Sequence, residues 1–125
     1  MNSILLLALA AWLSFGGLGL AQAPFRPPSA LMISFMNRMG QMSYAIGMSQ
    51  WERLQEEAQG LGKDAESFAG ILPRGTPLEE EMKAFRAHIA ALERAARERD
   101  PQAVGRWYGQ LATDCITCHK KYRDF

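Results

Sequence analysis

The chain has 125 residues, a formal net charge of +1 and only two cysteines. Once an apolar leader is set aside, that length holds one core and not two, and two cysteines exclude a disulfide-built scaffold. The near-zero charge, with no basic run, no glycine-rich phosphate loop and no low-complexity tract, leaves no case for nucleic acid as a partner.

Residues 1–21 are apolar and uncharged and end in small residues, the pattern of a cleaved secretory signal. Cleavage is expected after Ala21, because Pro24 would directly follow a cut after Ala23. The apolar run at residues 4–13 is short for a bilayer crossing, and Gly16 and Gly17 interrupt it. No Lys or Arg precedes the run, so a retained membrane anchor stays open as the second reading. Residues 22–28, with Pro24, Pro27 and Pro28, read as an extended arm leading into a domain at residues 29–125.

From there the apolar residues step by three and four. Met32, Phe35, Met39, Met42 and Ile46 form a first stripe, and Trp51, Leu54, Ala58, Leu61, Ala65, Phe68 and Leu72 a second. Leu78, Met82, Phe85, Ile89, Leu92 and Ala96 form a third, and Val104, Trp107 or Tyr108, Leu111, Cys115, Cys118 and Tyr122 a fourth. Four amphipathic helices follow, with starts marked by Ser29 after two prolines, Ser49 with Glu52 three on, Thr76-Pro77 with Glu79 three on, and Asp100-Pro101. Gly60 and Gly62 weaken the second helix by about 1 kcal/mol each without splitting it. The short connections make neighbouring helices antiparallel, so the expected fold is all-α, an up-down-up-down four-helix bundle. Trp51, Trp107 and Tyr108 are expected to fill one end of it.

The fourth helix carries Cys115-Ile116-Thr117-Cys118-His119. C-x-x-C-H is the spacing by which haem is attached covalently, two thiols adding across the vinyl groups and the adjacent histidine lying under the iron. At 100° per residue Cys118 stands about −60° and His119 about +40° from Cys115, so all three project from one helix face. The other readings fit less well: a thioredoxin-type C-x-x-C belongs in a βαβ setting that this chain lacks, and two buried free thiols would leave the histidine beside them to chance. The cofactor expected is therefore one haem c, bound through Cys115 and Cys118 with His119 as proximal iron ligand.

Antiparallel packing sets His119 level with the start of helix one, the end of helix two and the start of helix three. Met32, Phe35, Met36, Phe68, Met82 and Phe85 then supply the apolar lining that a flat cofactor needs, although the same residues also suit ordinary bundle core. His88, on the flank of helix three, lies about 9 Å further along than Met82 and reads as a surface histidine or a satisfied core one, not as an iron ligand. Glu79, Glu80 and Glu81 offset the helix dipole, and nothing calls for an enzyme.

The motif at the end of the last of four helices, continued as Lys120-Lys121-Tyr122-Arg123, resembles the cytochrome c′ family, the class II c-type cytochromes. The resemblance implies that Cys115 and Cys118 hold the haem, that His119 is the proximal ligand and that Arg123 sits beside the proximal pocket. It further implies a periplasmic location and, in some relatives, pairing of two copies through the first helix. Family members with an apolar group on the distal side keep iron five-coordinate and bind nitric oxide or carbon monoxide; low-spin relatives use a methionine as sixth ligand and carry electrons. Aligned on Met39-Gly40, the distal position falls on Met32, and Pro28 stands where the family often has an arginine. Three readings of the sixth position are open: Met32, Met36, or no protein ligand. The expected function is single-electron transfer with an unnamed redox partner, with gas binding as the alternative; Lys120, Lys121 and Arg123 could form a docking patch for an acidic partner, although a solvated helix face is the commoner meaning of such a run.

Overall fold

The computed structural model describes residues 27–122, which form four α-helices joined by short turns: α1 (Ser29–Gly47), α2 (Trp51–Ile71), α3 (Pro77–Arg97) and α4 (Pro101–Tyr122). The signal with its cleavage site, residues 22–26 of the arm, and Arg123 lie outside the described residues. Each helix packs against the next in sequence, and the fold is the all-α four-helix bundle that the apolar stripes predict.

Local chemistry fixes the ends of the helices. At α3, the Thr76 hydroxyl accepts the Glu79 N–H at 3.4 Å, the Glu79 carboxylate accepts the Gly75 N–H at 2.6 Å, and Pro77 occupies the first turn at no loss of a hydrogen bond. At α4, one carboxylate oxygen of Asp100 accepts the N–H groups of Gln102 and Ala103, each at 3.1 Å. The two starts expected at serines differ. Ser29 is already helical, behind Pro28, and makes no capping bond. Ser49 closes α1 instead of opening α2: it is left-handed (φ 53°) and donates to the Ile46 carbonyl, while Gln50 donates to that of Ala45. Arg99 and Asp100 close α3 on Ala96 and Ala95 in the same way, again with φ 53°. Both turns are therefore Schellman closures, in which the orphan carbonyls of the preceding helix claim the turn residue before the following helix can use its side chain.

Helix α2 runs unbroken through Gly60 and Gly62. Gly60 has a packing reason: a Cβ there would run into the Arg38 guanidinium, which crosses α2 at this point. Arg38 reaches Asp64 at 2.8 Å and Glu57 at 3.2 Å, and the Ser34 hydroxyl donates to Asp64 at 2.5 Å. This half-buried network clamps α1 to α2. Burial pulls the Asp64 carboxyl upward, but the Ser34 and Arg38 hydrogen bonds outweigh it and hold the group below its ordinary value.

Where α1 and α3 end and α2 and α4 begin, Met42, Leu54, Leu92, Ala96 and Val104 are fully enclosed. Trp51 packs against this end from the start of α2. Trp107 and Tyr108 do not fill it as expected; they occupy the flanks of α4. Tyr108 donates its hydroxyl to the Met39 carbonyl at 2.9 Å, tying α4 to α1, and Trp107 stacks on His88 of α3 with ring centroids 5.6 Å apart. Their places one step apart on α4 turn them to opposite neighbours.

Candidate haem site

At the opposite end the bundle opens into a cavity of about 350 Å³. Helix α4 contributes Cys115, Cys118, His119 and Tyr122, α1 contributes Met32 and Phe35, α2 contributes Phe68, and α3 contributes Leu78, Met82 and Phe85. The aromatic wall is continuous, with Phe35 edge-on to Phe68 at 6.1 Å and tilted against Phe85 at 5.7 Å.

All but two of the residues expected from the sequence meet in this one space. Met36 is the departure: it is 71% exposed on the outer face of α1 and does not line the cavity. One residue beyond Phe35 on a helix is a turn of 100°, which carries Met36 away from the interior that Phe35 enters. Arg123, the second, is among the residues not described. Met32 is part-buried at the cavity, on the α1 wall. His88, left open between a surface and a satisfied core place, is part-buried and has its Nδ1 2.6 Å from Asp114 Oδ2.

Several lining residues carry no sequence signal. Glu81, Gln110, Thr113, Asp114 and Thr117 form a polar side between α3 and α4. A stripe of apolar residues cannot announce them, because they flank it; only the register of α3 against α4 brings them to the cavity. Asp114 is held by Gln110 at 2.9 Å and by His88, so both of its oxygens are used. Burial, then the Asp114 charge, pushes the Cys115 thiol upward; burial, then Glu81 and Cys115, pushes Cys118 up to about 11.

The residues fit a covalently held haem. The cavity volume falls in the range of cofactor sites. Cys115 and Cys118 are free thiols and share the cavity with His119, and the remaining wall is aromatic and aliphatic. Among the described residues no group of three or more His, Cys, Asp or Glu is arranged to hold a metal ion.

A family model described as Cytochrome C′ matches residues 34–123, most of the chain and the whole bundle from early α1 through the attachment motif. The chain belongs to the cytochrome c′ family. Membership makes it a c-type cytochrome of the haem-bearing kind, in agreement with the cysteine spacing and the cavity. No curated protein and no solved structure matches the chain.

Proposed function

We propose that this cytochrome carries single electrons outside the cytoplasm, with haem c bound through Cys115 and Cys118, His119 as proximal ligand and Met32 as distal ligand. One observation carries the reading: Met32 of α1 and His119 of α4 line the same cavity from different helices. When bound, haem supplies a one-electron iron couple, and a methionine opposite a histidine raises its potential. The chain's own residues do the rest. The two thiols fix the position of the macrocycle, Phe35, Phe68 and Phe85 exclude water from its faces, and the bundle restrains both ligand-bearing helices. Export is supported by the leader pattern of residues 1–21 and by the family's usual extracytoplasmic setting; among the described residues no helix is long and apolar enough to cross a membrane.

The apolar α1 wall also favours a second reading. If Met32 only packs, as thioethers often do in bundle gaps, the α1 wall offers Phe35 and, among the described residues, no side-chain donor, a suitable recess for nitric oxide or carbon monoxide. Optical spectra of Met32→Ala decide between the two. With Met32 ligated, the oxidised wild-type protein shows a weak near-infrared sulfur-to-iron band that the variant loses, and the variant turns high-spin and takes up carbon monoxide readily. A wild-type protein already high-spin, with a spectrum unchanged in Met32→Ala, would give the gas-binding reading the lead.

A further inference from the structure

Glu81 stands on the α3 wall of the cavity. One carboxylate oxygen accepts a hydrogen bond from the Lys121 ammonium; the other is buried and has no partner. An unsatisfied buried carboxylate oxygen is costly and calls for an explanation. Asp114, the other acid of the lining, poses no such question because its two oxygens are taken. No Lys or Arg lines the cavity among the described residues, so the cation that offsets the Glu81 charge is Lys121, on the oxygen that is paired.

Glu81 lines the same cavity as Cys118, His119 and Tyr122 of α4. Its Lys121 partner stands three residues after Cys118, about one helical turn along α4, so Glu81 faces the attachment segment and acts on it by charge.

We infer that Glu81 sets the reduction potential of the haem site: its buried, unpaired oxygen favours the oxidised iron, and Lys121 limits how strongly. Reduction adds one electron from an external donor and removes one positive charge from the iron, so a fixed negative charge at the cavity wall opposes it. The inference rests on haem attached at Cys115 and Cys118 and holds whether or not Met32 is the sixth ligand.

The test is a spectroelectrochemical titration of holo-protein. Glu81→Gln keeps the shape, removes the charge and raises the reduced-to-oxidised ratio at fixed potential by about tenfold, about 59 mV for one electron. Glu80→Gln, on the exposed neighbouring residue, moves the potential by less than about a third of that. Lys121→Met, which unmasks Glu81, lowers the potential more than Lys120→Met does. An unchanged potential in Glu81→Gln, or an equal shift in Glu80→Gln, would overturn the inference. Should Glu81→Gln fail to hold haem, the lysine pair decides alone, equal shifts in Lys121→Met and Lys120→Met counting against it. Wild-type protein without covalent haem would instead sink the attachment reading, a distinct outcome.

Discussion

The two ends of this bundle are built on different terms. Where α2 and α4 begin, Leu54 and Leu92 are 0% exposed and the turns on either side close with backbone hydrogen bonds. At the attachment end Phe35 and Phe85 retain 8% and 6% exposure, the two cysteines are only half-buried, and all four helices line a cavity. Close packing stabilises a core chiefly by leaving no voids, so the chain completes one end by itself and leaves the other to be completed by a group it does not encode. The clamp of Arg38 on Asp64 and Glu57 lies between the two, holding α1 on α2.

Removing the cofactor should expose that division most strongly. Protein carrying Cys115→Ala with Cys118→Ala is expected to lose haem on acid–acetone extraction and to lose amide hydrogen-exchange protection around Met82, Phe85 and Cys118, while amides near Leu54 and Leu92 stay protected. The converse change, Leu92→Ala in holo-protein, leaves a void in a site with no slack and should cost about 2–5 kcal/mol without altering the haem spectrum. Equal loss of protection at both ends on haem removal would show that the bundle behaves as a single cooperative unit and break the contrast.

The thiols sharpen it chemically. With Cys118 raised from 9.0 to about 11, its thiolate fraction at pH 8 in folded apo-protein is about 100-fold below that of an unperturbed thiol, and alkylation should slow accordingly until urea unfolds the chain. The sign for stability follows. The folded state holds the proton more tightly, so this contribution is complete below pH 9 and is lost as pH rises toward 11. Alkylation at equal rates with and without urea would mean that the cavity end does not restrain Cys118.

How much of this the sequence carried depends on what kind of signal each residue leaves. The helices were legible because burial imposes a period on Leu54, Leu61, Phe68 and their counterparts, and the attachment site because two thiols and a histidine must share a helix face. Met32, Phe35, Phe68, Met82 and Phe85 were found by combining that face with antiparallel levels. Glu81 and Asp114 were not, since a charged residue beside an apolar stripe has the same pattern whether it faces solvent or a cavity. Met36 was misplaced because a level argument fixes height along the bundle but not rotation about the helix. Ser49 was misread for a related reason: a serine with a glutamate three residues on suits a helix start, yet the left-handed closure of α1 had prior claim to the same residue.

The smallest effect separates the clamp from the helix that carries it. Gly60 and Gly62 lie two apart in α2, and by intrinsic propensity each should gain about 1 kcal/mol on change to Ala. Their surroundings differ. A Cβ on Gly62 comes no closer than 3.7 Å to Ile89, ordinary contact, so Gly62→Ala should deliver the gain in full. A Cβ on Gly60 lands on the Arg38 guanidinium, which must withdraw from Asp64 and Glu57 to make room. Partly exposed ion pairs are worth little individually, about 0–1 kcal/mol, so the loss should offset most of the helix gain and leave Gly60→Ala near neutral by thermal denaturation. Acid distinguishes the two further. Asp64 is held below its ordinary 3.8, so the clamp contributes above that value and is lost as pH falls through the lowered one. The stability gap between Gly62→Ala and Gly60→Ala should therefore narrow in acid, whereas a gap that stays constant from neutral pH to below pH 3 would assign the difference to helix packing and not to Arg38.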